Sequence, residues 1–239
     1  MISRRFWGTF FLAMAALPSF SSINTTEGFI GVQQDMIQQV QDARDDLKDG
    51  EPLMALAHAN LVLMDRPLKI FVSFDDISGR RLRDCNRAID AAIGLWNKGL
   101  EGETPFVRTD IAEGSDIQLK FENDVMDGNV AVGGLVKWRR AITYVDGQPL
   151  DKTSADVQVR VKMPRGGYMS FEHMRHEASH ELGHVLGLDD SPRSGDIMSG
   201  LDLRHPVGKI SDFELDALKR LRQAAHEVKD EALIAYTQV

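Results

Sequence analysis

The sequence predicts an α+β protein built on a mixed sheet backed by helices. Two observations carry this. Strand-patterned segments at 68–74, 115–122 and 156–163 are interrupted by helical segments at 81–97 and 171–186, and further apolar stretches at 130–138 and 141–145 fall together in the middle of the chain. The resulting order is strand, helix, several strands, helix, loop, helix, which suits a mixed sheet better than a strictly alternating parallel fold. Composition agrees: 43% hydrophobic and 27% charged residues are ordinary for a protein with a packed core.

Taken in order, residues 1–22 read as a secretory signal. Arg4 and Arg5 precede an apolar run from Phe6 to Leu17, and Pro18 with Ser19, Ser21 and Ser22 offers a cleavage site after Ser21. The run is shorter than the roughly 20 apolar residues a spanning helix needs. A secreted or periplasmic protein is therefore expected, with an uncleaved N-terminal anchor as the alternative and no stable membrane span in the mature form. Residues 24–28 read as a linker.

From Ile30 to about Met64 the pattern is helical. Val32, Met36, Val40 and Leu47 fall near one stripe, Asp49-Gly50 and Pro52 break it, and Leu53 to Met64 resume it. This helical hairpin, within a segment 23–66, is expected to be an accessory element or prosegment, or else part of the core. Pro67 marks the start of the main domain, 67–239. There Leu68 to Phe74 is a strand, and Arg81 to Asn97 is a helix with Ala88, Ile89, Ala92, Leu95 and Trp96 on its apolar face. Ile117, Leu119 and Phe121 alternate as a half-buried strand, and Val157, Val159 and Val161 do the same. Asp146-Gly147 and Gly166-Gly167 mark turns. Phe171 to Leu186 is helical, 188–210 is loop, and Ser211 with Glu214 forms a capping box opening a last helix to about Ala232.

The formal net charge is -8 and the pI about 5.4. An acidic chain with no basic block is a poor partner for nucleic acid. Its one cysteine, Cys85, builds neither an internal disulfide nor a multi-thiolate zinc site.

The chemistry lies in His180-Glu181-Leu182-Gly183-His184-Val185-Leu186-Gly187-Leu188-Asp189-Asp190. Histidines four apart on a helix share one face, one turn apart, so His180 and His184 can both reach one tetrahedral metal, and imidazole suits Zn2+. Glu181 sits beside the first imidazole, placed to act as general base on a water at the metal. Gly187 can turn the chain sharply as the helix ends, bringing Asp190 back as a third ligand. Three protein ligands leave a catalytic zinc its open position. The five fixed positions arise by chance about once in ten thousand chains of this size, so coincidence is set aside.

This stretch resembles the metzincin metallopeptidases, with their H-E-x-x-H-x-x-G-x-x-H motif followed by a methionine turn. His180, Glu181, His184 and Gly187 match directly, Asp190 replaces the third histidine as in the snapalysin-like branch, and Ile197-Met198-Ser199 resembles the methionine turn. The strand at 68–74, the helix ending at Trp96, the strand at 116–121 and Ile210-Ser211-Asp212 resemble a matrixin catalytic domain, over about residues 67–224. The resemblance implies a mostly parallel sheet with an active-site helix, a methionine turn with Met198 beneath the metal, and a C-terminal helix. It also implies that a protein or peptide substrate pairs with an edge strand, here Val130 to Trp138. The matrixin cysteine switch has no counterpart, and Cys85 reads as a helix residue without a metal role.

Three alternatives stay open at this level. His176-Glu177-Ala178-Ser179-His180 is a second, overlapping H-E-x-x-H, but Gly187, Asp190 and Met198 are spaced from His180, and His176 reads as supporting or partly exposed. Family spacing favours Asp190 over Asp189. His205 lines the cleft or enters the metal shell. His58, His173 and His226 read as surface or packing residues, and 123–129 as a turn. The expected function is a secreted zinc-dependent endopeptidase with Glu181 as general base. The alternatives are a catalytically weak zinc-dependent binding protein with a metzincin fold, and an exported interaction protein working through the helical hairpin. The sequence leaves the oligomeric state open.

Overall fold

The computed structural model describes residues 29–238 apart from 65, 102, 104 and 165. The signal-like segment 1–22 and the linker 24–28 lie outside the described residues. In chain order the elements are α1 (Gln34–Lys48), α2 (Pro52–Leu63), β1 (Leu68–Phe74), α3 (Gly79–Gly99), β2 (Phe106–Thr109), β3 (Ile117–Glu122), β4 (Val125–Asp127), β5 (Val130–Val132), β6 (Gly134–Val145), β7 (Gln148–Arg160), α4 (Phe171–Leu186) and α5 (Asp212–Thr237). The architecture is α+β, with a mostly parallel mixed sheet and helices packed on it.

Five strands pair in the order β2-β1-β3-β7-β6. All neighbours are parallel except β6, which runs antiparallel to β7 at the edge. Register places apolar residues in rows: Ile70, Ile117 and Ala155; Val72, Leu119 and Val157; Phe74, Phe121 and Val159. These face the helices, whereas Lys69, Gln118 and Asp156 between them are exposed. A strand apolar on alternate positions covers a core on one side only, which is why its period is legible in the sequence.

Five features differ from the expectations, the first being that Val125–Asp127, within the stretch 123–129 expected as a turn, forms strand β4. The stretch expected as one edge strand, Val130 to Trp138, is divided at Gly133: β5 folds back on β4, and β6 begins at Gly134. β6 then runs unbroken through 141–145, and β7 starts at Gln148 rather than near 156. The two join at Asp146-Gly147, both in the left-handed region (φ 51° and 79°), which matches the right-handed twist of a long hairpin. Its outer half is polar on β7 and therefore carries no apolar alternation. β2 is too short to show a period and is defined by its pairing with β1.

Met36, Val40, Val62 and Leu63 of the helical hairpin belong to the same continuous core as Ile70, Trp96 and Leu182. The hairpin also packs on α5. Pro67 therefore opens β1 without marking a break in packing. Among the described residues no helix is long and apolar enough to cross a membrane.

Candidate metal centre

The site is built on α4. Ser170 opens this helix with a capping box completed by His173, and Gly187 closes it in the left-handed conformation (φ 102°). The turn at Gly187 is obligatory twice over: the backbone is strained for any L side chain, and a Cβ would lie 2.7 Å from Met36 Cγ. Beyond it the chain doubles back and carries Asp190 to the face of α4 that holds His180 and His184.

Donor atoms of His180, His184 and Asp190 all lie within 4.8 Å of one another. The two imidazole Nε2 atoms are 3.1 Å apart, and Asp190 Oδ1 is 3.3 Å from one and 3.5 Å from the other. Ligand bonds of about 2.0–2.2 Å at tetrahedral angles require an edge of roughly 3.3–3.5 Å. The triangle is therefore close to the size that a tetrahedral zinc would need from three protein ligands. Behind it, His180 Nδ1 lies 3.2 Å from the Ile197 carbonyl and His184 Nδ1 2.9 Å from the Leu188 carbonyl. Each Nδ1–H donates to its carbonyl, which turns both Nε2 atoms to the shared point.

Met198 is buried beneath α4, its sulfur against the backbone of Gly183. Its amide donates to Glu214 Oε1 at 2.7 Å, while Glu214 Oε2 accepts from Ser211 N. The capping box that opens α5 thus also holds the turn carrying Met198, and the neighbouring Ile197 carbonyl orients His180.

Glu181 is buried, with its carboxylate against the start of β6, where a Cβ on Gly134 would collide with it. Burial pushes this carboxyl up to about 8; His180 opposes that rise, while Glu177 and Asp190 add to it. At His180, burial favours the neutral ring, but the Asp190 hydrogen bond and the Glu181, Glu177 and Asp190 charges outweigh it and raise the imidazole to about 9. At pH 7 the metal-free site therefore carries a proton that an entering cation must expel. Zinc uptake near pH 7 is expected to release protons and to weaken as pH falls. Calorimetric heats that do not change with the buffer's ionisation enthalpy would contradict this.

No protein-family model matches the chain, and a search of curated proteins returns no match. The functional reading therefore rests on the site itself.

Of the residues singled out by sequence, His180, Glu181, His184, Gly187, Asp190 and Met198 are brought together. Asp189 turns away: its Oδ1 accepts from Asp190 N, and its own amide donates to the Gly31 carbonyl. His205 lies exposed in the loop before α5, outside the group of metal donors. His176 is fully buried rather than partly exposed, and burial lowers it to about 4. It donates through Nε2 to the Ser199 carbonyl and accepts from Val207 N. His173 is likewise buried, with Nε2 2.9 Å from the Leu203 carbonyl, so both rings tie α4 to the loop below the cleft. Cys85 is buried against Met174, its thiol pushed up to about 12 by burial.

Other contributors are not visible in the motif. Gln33 N donates to the Gly187 carbonyl at 2.8 Å, Val32 bridges Leu188, and Met36 packs on Gly187. Arg140 of β6 donates to the carbonyls of His184 and Val185, satisfying the C-terminal end of α4, and pairs with Asp35 at 2.6 Å. Beside the metal triangle a cleft of about 500 Å³ opens between Gly133-Gly134 on one side and Gly200-Leu201 on the other.

Proposed function

We propose that the chain is a secreted zinc-dependent endopeptidase of metzincin type. The observation that carries this reading is the triangle of His180, His184 and Asp190, with an unligated carboxylate, Glu181, beside it on the wall of a cleft. Zinc bound there supplies a Lewis acid for the scissile carbonyl and a water acidified enough to attack near neutral pH. Glu181 takes the proton of the attacking water and delivers it to the leaving amine. A cation held at the triangle would favour the charged form that accepts the proton, while burial favours the protonated form that hands it on. β6, the antiparallel edge strand, offers unpaired backbone groups along the cleft for an extended peptide, a form of β-augmentation. Glycine at 133 and 134 lets the strand lie directly against the Glu177 and Glu181 carboxylates.

The motif 180–190, the methionine turn at 197–199 and the mostly parallel sheet with its antiparallel edge support the metzincin assignment. The charged start and short apolar run before residue 22 support export. A binding protein without turnover would have no use for a base at Glu181. The test is zinc content together with hydrolysis of an unstructured protein. Protein that holds stoichiometric zinc and cleaves nothing would favour the binding reading.

The ligand set gives its own prediction. Asp190→Ala is expected to lower zinc affinity by more than the roughly 10–100-fold typical of losing an outer hydrogen-bond partner of a ligand. Asp189→Ala, which removes a side chain turned away from the triangle, is expected to change it far less. A competitive zinc titration with the two effects reversed would overturn this ligand set.

A further inference from the structure

Glu177 lies one turn before Glu181 on α4, and the reaction just described makes no use of it. It is 5% exposed, yet it borders the same cleft as Glu181 and His180. Its carboxylate has no hydrogen bond and no ion pair among the described residues; besides burial, the only influence on it is the charge of His180. On the cleft side it faces Gly133, where a Cβ would collide with it. Burial pushes its carboxyl up to about 7, against the charge of His180, and a cation brought beside it from the cleft would favour the charged form again.

The charges around it show what a ligand there must be. Among the described residues the one guanidinium bordering the cleft is that of Arg160, already committed to Asp124 and to the carbonyls of Val125 and Lys162. No described lysine or arginine bordering the cleft is left to pair with Glu177, and the chain's net charge of -8 draws cations. One helical turn is about 5.4 Å, a span that a lysine or arginine side chain covers from a residue beside the scissile bond.

We propose that Glu177 receives a cationic side chain of the substrate, lysine ammonium or arginine guanidinium, at a residue flanking the cleaved bond, making this a protease for basic sequences. The proposal rests on the endopeptidase reading. The same chemistry is offered by the α-ammonium of a peptide N-terminus. The strand backbone at 131–134 that lines the cleft favours a chain that passes through, and so favours the side chain.

The experiment measures binding in the full chain carrying Glu181→Gln, so that it does not depend on turnover. Peptides blocked at both ends carry lysine, arginine or norleucine at each position around a central bond, and a parallel set has a free N-terminus. At least ten-fold tighter binding of lysine or arginine over norleucine at one position is expected. This preference should vanish in Glu177→Gln and return in Glu177→Asp. Hydrolysis by the chain with Glu181 intact should show the same preference in kcat/KM. Equal binding of lysine and norleucine peptides, a preference that survives Glu177→Gln, or binding that requires a free N-terminus would each overturn the assignment. Absence of hydrolysis alongside an intact, Glu177-dependent preference would sink the peptidase reading instead.

Discussion

Glu181→Gln is expected to retain zinc and to lose about 100- to 10,000-fold in kcat, the range that a positioned acid–base group contributes. Glutamine keeps the shape and the two polar atoms of the side chain but cannot accept and return a proton. Glu181 is not among the donors that converge on the metal point, so zinc content should be unchanged. The substitution also separates loss of chemistry from loss of fold. Burial raises the Glu181 carboxyl to about 8, so in the metal-free protein the neutral form is favoured up to that pH. A neutral isostere should therefore melt no lower than the unaltered chain. Undiminished hydrolysis in zinc-loaded Glu181→Gln, purified free of any other protease, would remove Glu181 from the mechanism.

Deleting the helical hairpin, so that the chain starts at 67, is expected to abolish both cooperative folding and zinc binding. Met36, Val62 and Leu63 are each no more than 2% exposed within the common core. Truncating one such side chain costs about 2–5 kcal/mol, against a total stability of roughly 5–15 kcal/mol for a domain. Removing the whole hairpin therefore exceeds what the fold can absorb. The loss is also local to the site. Gly31 and Gln33 hold the backbone at Gly187 and Asp189, and Asp35 pairs with the Arg140 that satisfies the end of α4. A shorter deletion ending at 36 should already lower zinc affinity by removing that clamp. Circular dichroism, thermal melting and zinc content of the two truncations are the measurements. A chain starting at 67 that melts cooperatively and binds zinc as tightly as the longer one would show the hairpin to be a removable segment.

Much of this molecule was legible in its sequence because the information is local. The two imidazoles share a face because 3.6 residues make a turn, and the turn after them follows from glycine at 187. The capping residues Ser211 and Glu214 mark the start of α5 within one residue. Ile117, Leu119 and Phe121 show their strand because one face of the sheet is covered and the other is not. What failed to show was set by partners distant in sequence. The polar outer half of β7 is a strand only because β6 pairs with it, and β2 only because β1 does. His176 is polar in any one-dimensional reading, yet it is fully buried, because Ser199 and Val207 satisfy both ring nitrogens.

The sequence by itself determined the chemistry on offer: two imidazoles at one helical turn, a carboxylate beside the first, and a glycine that lets the chain return. The tertiary structure alone decided which neighbours that chemistry has. It set Asp190 beside the two imidazoles and Asp189 away from them, set Gly134 against Glu181, and brought Gln33 and Arg140 to the end of the helix. It also left Glu177 buried beside the cleft with no hydrogen bond or ion pair among the described residues. The physical reason is that periodicity and capping act over a few residues and can be read along the chain. Burial, charge compensation and close approach depend on what packs from elsewhere, and exist only once the core has closed.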